Sequence, residues 1–384
     1  MKIGIFGGTF NPPHIGHIQS SRAAAEQLGL DLLVVVPSGI PPHKPLPDGT
    51  PPAKMRLDMA KAAFGELQNT VVSEIEINSP NPAYTVDTTA AIARSYPDSK
   101  LYMLVGSDMY LTLNEWKDSD KLLRHITPAV FSRSPDGMDS IARYSHKLRS
   151  RYGTETETIR SESIDISSSE LRQMLPERKG LRYITDTIYS YIIQNRLYCA
   201  KPDWDWLRGR AYSMLNPERV PHVAGCEEEA LRLAKRWSLD LDDARESAIL
   251  HDITKRLSPA ENVRILEDHG IPAGKLEFAE EKLLHAQTAA ALAKSLFGVS
   301  DEVAGAIRWH TTGRAGMSAL EKIIYLADYI EPERDFSDVG ALRLAAYEDL
   351  DRALKMGLEM SVKDMEARGI TPNRTTFDAL KDLG

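Results

Sequence analysis

The sequence predicts an α/β half, a parallel sheet with helices on both faces, followed by an all-α half. Three observations carry this expectation. From Met1 to about Tyr198, short β-branched runs alternate with helical periodicity, the pattern of strands joined by crossover helices. From Trp204 onward the strand signals stop and helical stretches follow one another. Between them, Cys199-Ala200-Lys201-Pro202-Asp203 sets a proline after a helical run, which reads as a short linker. The domains are therefore expected at residues 1–200 and 203–384, in keeping with two to three folding units for 384 residues at roughly 150 per domain.

In the first half the β-branched runs place strands at residues 2–6, 31–37, 70–77, 100–106, 128–132 and 158–164. Helical periodicity at 18–28, 84–95 and 167–175 supplies examples of the connecting helices. In the second half the helices are expected at 220–237, 242–251, 259–269, 286–297, 319–330 and 339–366. No internal repeat or low-complexity tract interrupts them, although residues 37–47 form a proline-rich loop after the second strand.

Hydrophobic residues make up 42% and charged residues 27% of the chain, enough apolar side chain to bury cores and to exclude disordered and fibrous classes. Two cysteines, Cys199 and Cys226, are too few for a disulfide framework, so a reducing compartment and a cytoplasmic location are expected. The apolar stretch 30–37 contains a charge and is far short of the roughly 20 residues a membrane helix needs. The opening MKIGIF has no basic region, apolar region and cleavage site of the secretory kind. Residues 1–200 hold 22 basic and 22 acidic side chains, so residues 201–384 carry the whole net charge of −8. Neither half has the basic surface that a nucleic-acid polymer demands, which leaves small anionic ligands held by local groups.

After the first strand comes Gly7-Gly8-Thr9-Phe10-Asn11-Pro12-Pro13-His14-Ile15-Gly16-His17, then a helix. Open α/β sheets bind ligands at the carboxyl ends of their strands, where a glycine turn and a helix N-terminus receive phosphate. Two imidazoles three positions apart at that helix start point into such a crevice. This is neither a GxGxxG fingerprint nor a P-loop, because no Gly-Lys-Ser/Thr follows. Together with Pro42-His43-Lys44-Pro45, Tyr84-Thr85-Val86-Asp87-Thr88, Gly106-Ser107-Asp108, Trp116 and Ile166-Ser167-Ser168-Ser169-Glu170-Leu171-Arg172, the segment resembles the His-x-Gly-His nucleotidyltransferases. Within them it resembles the nicotinate mononucleotide adenylyltransferases of NAD biosynthesis, over about residues 1–198. Ser169 stands where that family usually has threonine, and the hydroxyl is kept.

The resemblance implies a Rossmann-like nucleotidyltransferase domain that binds ATP and nicotinate mononucleotide, with Mg²⁺ arriving on ATP. Catalysis of this kind is positioning and charge stabilisation. His14 and His17 would donate to the α- and β-phosphates, with Lys44 and Arg172 taking the remaining charge. Gly8, Thr9, Phe10, Gly106, Asp108 and Ser168 complete the implied ATP site. Thr85, Trp116 and Arg133, with Lys44, form the implied mononucleotide site, Trp116 stacking on the pyridine ring.

In the second half His222, His251-Asp252, His285, His310 and Asp328 are spread over about a hundred residues, and Asp328 sits inside the apolar run 323–330. A carboxylate in such a run is costly unless paired or bound to metal, and groups on several helices can converge at a bundle core. The order resembles the HD phosphohydrolases. The segments Arg219-Val-Pro-His222, His251-Asp252-Ile-Thr-Lys255, Leu283-Leu284-His285, Trp309-His310-Thr311-Thr312-Gly313-Arg314 and Leu326-Ala327-Asp328-Tyr329-Ile330-Glu331-Pro332 are most similar to the symmetrical diadenosine tetraphosphate hydrolases. The resemblance implies an HD-type helical domain acting on dinucleoside polyphosphates, with His222, His251, Asp252 and Asp328 around a divalent metal. His285 and His310 hold a second metal or bind phosphate. Lys255 neutralises developing charge, and Arg219, Thr311 and Arg334 lie against nucleotide phosphates. A set of imidazoles and carboxylates with no thiolate suits iron, manganese or cobalt rather than structural zinc.

Alarmone hydrolases usually carry a Glu-Asp pair shortly after the His-Asp, and here Ile253-Thr254-Lys255-Arg256 fills that stretch. The Gly-Tyr-Pro segment of cyclic-dinucleotide phosphodiesterases is absent. Other phosphate acceptors for the first half, and other nucleotides or a non-catalytic sensing role for the second, stay open at this stage, as does the oligomeric state.

Overall fold

A computed structural model describes residues 1–41, 45–132, 135–161, 164, 166–271 and 283–384. The chain forms two compact units, residues 1–192 with 196–201, and residues 193–195 with 202–384.

In the first unit, strands β1 (Lys2–Gly8), β2 (Leu32–Pro37), β3 (Thr70–Val72), β4 (Lys100–Gly106), β5 (Ile126–Ser132) and β6 (Glu157–Arg160) form one sheet among the described residues. Their order is β3-β2-β1-β4-β5-β6 and every neighbouring pair is parallel. Helices α1 (Ile15–Leu28), α2 (Ala53–Phe64), α3 (Thr85–Ser95), α4 (Ser107–Tyr110), α5 (Ser119–His125), α6 (Pro135–Tyr152), α7 (Ser168–Met174) and α8 (Asp186–Gln194) connect or follow them. Both faces of the central strands are buried, which is why β2 reads as the continuous apolar run LLVVVP. Ile3, Ile5, Val34, Val36, Met103 and Val105 share one core with Ile92, Leu122 and Leu148. On the opposite face Phe6, Phe10, Phe64 and Phe131 pack edge to face. The direction of winding reverses between β1 and β4, so their carboxyl ends open a crevice at the switch point.

Two strand expectations shorten. Residues 70–77 pair only as far as Val72, since the chain then turns, with Asn78 N–H donating to the Glu74 carbonyl. β6 ends at Arg160 rather than at 164, and part of the remainder lies outside the described residues.

The second unit contains α9 (Trp204–Ser213), α10 (Val220–Arg236), α11 (Leu241–Leu250), α12 (Pro259–Asp268), α13 (Leu284–Phe297), α14 (Asp301–Trp309), α15 (Ala319–Ile330), α16 (Val339–Glu348), α17 (Leu350–Ala367) and α18 (Arg374–Asp382). α15 is central, packing on α10, α11, α14 and α17. Its Ile323, Ile324 and Leu326 are buried in one cluster with Ala248, Ile249, Ile307 and Leu354. The expected single helix 339–366 is two. Asp349 takes an extended backbone, and its carboxylate accepts from Asp351 N–H and Arg352 N–H to start a new helix. No helix among the described residues is long and apolar enough to cross a membrane.

Candidate active sites

The first site begins where β1 delivers its chain to α1. His14 is the N-cap of α1, and its backbone N–H donates to His17 Nδ1 at 3.2 Å. That bond uses the His17 Nδ1 lone pair, so the ring proton sits on Nε2. The two rings lie 3.7 Å apart between centroids. Gly16 explains the glycine between them: a Cβ there would sit 3.0 Å from His14 Nδ1. Phe10, among the residues implied at the ATP site, is 1% exposed as a whole, and its ring packs against His17 at 5.4 Å between centroids. Gly8 and the exposed Thr9 lead into this turn at the end of β1.

α7 is tied to the same loop. Ser168 Oγ donates to the Pro12 carbonyl at 2.8 Å, and Arg172 donates to the Asn11 carbonyl at 2.6 Å and to Ser169 Oγ at 3.1 Å. Three supports have no expectation behind them. Buried Arg56 on α2 donates to the Thr9 carbonyl at 2.9 Å and to the Gly39 carbonyl at 3.0 Å. Asn11 donates to Thr50 Oγ1, and Tyr198 donates to Asn11 Oδ1 at 2.9 Å. An arginine on an amphipathic helix carries no sequence signal of this role, because its partners are backbone carbonyls remote in the chain.

Around the crevice, Gly106 ends β4 and Asp108 is exposed on the next turn. Trp116 is half-buried against the sheet core, and its indole N–H donates to Thr112 Oγ1 at 3.3 Å. Lys117 lies 3.7 Å over the Tyr84 ring, which draws Thr85, at the start of α3, toward the Trp116 segment. Lys44 and the side chain of Arg133 lie outside the described residues.

In the second unit three imidazoles obey one rule. His251 Nδ1 meets the Ala248 carbonyl at 2.7 Å, His310 Nδ1 meets the Ile307 carbonyl at 2.6 Å, and His222 Nδ1 meets Glu331 Oε1 at 3.1 Å. In each case an oxygen accepts the Nδ1 proton, which in the neutral ring leaves Nε2 with the lone pair. These Nε2 atoms converge on Asp252 and Asp328. His222 Nε2 lies 3.0 Å from Asp328 Oδ1, His251 Nε2 3.6 Å from Asp252 Oδ2, and His310 Nε2 3.6 Å from Asp252 Oδ1. His285 Nε2 lies 3.2 Å from Asp252 Oδ1, 3.3 Å from His310 Nε2 and 2.9 Å from Lys255 Nζ.

Cations ring the cluster. Arg219 pairs with Asp252 Oδ2, Lys255 Nζ lies 3.7 Å from Asp252 Oδ1, and Arg334 donates to Asp328 Oδ1 at 2.9 Å. Thr311 follows His310 just past the end of α14 and is half-buried. Two further residues have their own placement here. Glu331 is buried beneath His222, and a Cβ at Gly225 would sit 2.8 Å from its Oε2. Cys226, one helical turn after His222, has its Sγ 3.5 Å from His222 Nε2. A thiol thus stands beside the imidazole and carboxylate groups, and the four-residue spacing on a helix is its available signal.

Burial pushes His251 from 6.5 down to about 4 against the pull of Asp252. Burial alone would raise Asp252 and Asp328, but the imidazoles around them hold both below the ordinary carboxylate range. Burial first, then Asp328 and Glu331, raise the Cys226 thiol. A neutral imidazole nitrogen and a carboxylate oxygen, His251 Nε2 and Asp252 Oδ1, are buried with no hydrogen-bond partner. Such atoms fit a bound divalent cation, which takes lone pairs and needs no proton from them.

The first unit is thus an open doubly wound sheet with a crevice at its switch point, and residues 5–174 match the cytidylyltransferase-like family. The second unit has a helical His/Asp cluster, and residues 219–333 match the HD domain family. A protein of Gemmatimonas aurantiaca named "Probable nicotinate-nucleotide adenylyltransferase" is 33% identical over 203 residues, covering 53% of this chain and 94% of that protein. One of the same name from Carboxydothermus hydrogenoformans is 33% identical over 198 residues, covering 51% of this chain and 98% of that protein. A Clostridium acetobutylicum structure described as a "predicted HD superfamily hydrolase involved in NAD metabolism" is 36% identical, covering 47% of this chain and 96% of that one, at a TM-score of 0.46. The chain belongs to the nicotinate-nucleotide adenylyltransferase family through its first half and carries an HD domain in its second.

The depressed His251 value gives a pH dependence. As pH falls from 6.5 toward 4 the unfolded chain takes up a proton that folded His251 refuses, so stability is lost in that window, and the low carboxylates extend the loss below it. Thermal melts of the metal-free protein should show the second unit melting progressively lower from pH 7 to pH 4.5. A flat melting temperature would contradict a neutral buried His251.

Proposed function

We propose that the chain is a bifunctional enzyme, with residues 1–200 transferring AMP from ATP to nicotinate mononucleotide and residues 203–384 hydrolysing diadenosine tetraphosphate to two ADP. The products of the first reaction are nicotinate adenine dinucleotide and pyrophosphate. The observation that carries the first half is the His14–His17 pair at the β1/α1 turn of the switch-point crevice, in a half-chain 33% identical over 203 residues to a protein named "Probable nicotinate-nucleotide adenylyltransferase". The second half is carried by the inward set of Nε2 atoms on Asp252 and Asp328. Both reactions consume adenine nucleotides, and we assign them to the cytoplasm.

In the first reaction the mononucleotide phosphate attacks the α-phosphorus of ATP and pyrophosphate leaves, with no nucleophile from the protein. His17 donates from Nε2 to phosphate oxygens, His14 stands beside it, and Arg172 and Lys44 take triphosphate charge. Mg²⁺ enters as part of the ATP complex. Trp116 gives the pyridine ring a flat wall, with Thr85 and Arg133 toward the polar groups of the mononucleotide.

In the second reaction His222, His251, Asp252 and Asp328 hold a divalent cation, with His285 and His310 on the far side of Asp252. When bound, the cation supplies Lewis acidity to phosphoryl oxygen and activates water. The protein's own part is to bind and orient the polyphosphate. Arg219, Lys255 and Arg334, with Thr311, surround the cluster with cationic and hydroxyl donors for four linked phosphates.

His14→Ala and His17→Ala should each lower adenylyl transfer by roughly 100- to 1000-fold while leaving hydrolysis intact. His251→Ala and Asp252→Ala should do the converse. A steady-state assay for nicotinate adenine dinucleotide, beside chromatography of diadenosine tetraphosphate products, decides this. Products other than two ADP, or binding without turnover, would overturn the second half. Gly16→Ala, by pushing the His14 ring aside by a few tenths of an ångström, should lower kcat/KM for adenylyl transfer by roughly two- to fourfold, a small part of the ~100-fold that ~1 Å of misplacement costs.

A further inference from the structure

The buried side of the first site holds a cation whose partners are not acids. Arg56, on α2, is 1% exposed. Its guanidinium donates to backbone carbonyls of two different loops, from Nη1 to Thr9 at 2.9 Å and from Nη2 to Gly39 at 3.0 Å. Its Nε is buried with no hydrogen-bond partner. Burying a guanidinium costs desolvation that two neutral carbonyls offset only in part, so stability alone does not account for an arginine here. The two bonds have a geometric consequence instead: one planar group holds two loops at a fixed separation.

Those loops lie toward the two substrates of the proposed transfer. Thr9 belongs to the turn that leads from β1 to His14 and His17, on the proposed ATP side. Gly39 follows β2 and lies against the segment after β3, where a Cβ on it would collide with the Glu76 carbonyl. Glu76 Oε1 in turn accepts from Thr88 Oγ1 at 2.7 Å. Thr88 is in the first turn of α3, the helix that begins with Thr85 on the proposed mononucleotide side. A line of contacts within the first unit therefore runs from the ATP loop through Arg56, Gly39 and Glu76 to α3.

We propose that Arg56 is a positioning residue of adenylyl transfer, its planar fork setting the ATP loop at a fixed distance from the mononucleotide side. This rests on the reading of the first half as an adenylyltransferase. In the transfer, a mononucleotide phosphate oxygen bonds to the α-phosphorus of ATP as the bond from that phosphorus to the pyrophosphate oxygen breaks. Arg56 acts on neither bond directly. It acts on the distance between two bound substrates rather than on the grip on either, so its loss falls on turnover and not on affinity.

The test is Arg56→Lys in the full-length protein. Lysine keeps the charge and an aliphatic stem, but its single nitrogen on a flexible chain does not fix two carbonyls as the guanidinium fork does. Counted per folded molecule from a melting curve, kcat for nicotinate adenine dinucleotide should fall roughly tenfold, with KM for ATP and for the mononucleotide each within about twofold of wild type. Calorimetric titration with each substrate alone should give wild-type affinities. Thr88→Val removes the hydroxyl at the far end of the line and keeps the shape of the side chain. It should show the same split at smaller size, and it serves equally if the lysine variant does not fold. A rise in either KM at constant kcat, turnover restored to wild type once unfolded protein is discounted, or full turnover in Thr88→Val would overturn the proposal alone. Wild-type protein that transfers no AMP to nicotinate mononucleotide would overturn it together with the reading beneath it.

Discussion

Three oxygens, the carbonyls of Ala248 and Ile307 and the carboxylate of Glu331, each accept an Nδ1 proton from a histidine. Everything in the second site depends on this. An imidazole whose Nδ1 proton is committed outward presents, when neutral, a lone pair inward, and three such nitrogens beside two ionised carboxylates make an electron-rich, buried pocket. Burial keeps His251 neutral, so the pocket does not relieve itself by protonation at neutral pH. Without a cation the arrangement leaves buried lone pairs unsatisfied, a cost that metal binding removes.

The way the helices end makes the geometry available. His251 and His310 each stand at the C-cap of a short helix, where the carbonyls of the last turn lack helical partners and receive a side-chain proton instead. His222 enters from the start of α10 and Asp328 from the buried face of α15, which packs on it. Gly225 performs a service like that of Gly16 in the first unit. Each glycine leaves the space that a functional side chain occupies, Glu331 in one case and the His14 ring in the other.

Much of this was legible before any coordinates. β1, β2, β4 and β5 are apolar runs buried on both faces, and their alternation with helices announced a parallel sheet. The clustered histidines and aspartates could be picked out because ionisable groups inside apolar helices demand a reason. What escaped detection depends on distance through space. Arg56 holds the carbonyls of Thr9 and Gly39, and nothing in its helix betrays those partners. Phe10 packs into the core from a turn with a φ of 46°, a placement its motif does not signal. Asp349 breaks a continuous helical pattern by capping the next helix, a local hydrogen bond that periodicity does not register.

The most direct measurement is anomalous diffraction from crystals of the protein loaded with a single transition metal, recorded on both sides of its absorption edge. A peak bounded by Nε2 of His222 and His251 and by the Asp328 carboxylate is expected. A peak bound through Nδ1 of those rings, or metal located only on the protein surface, would contradict it.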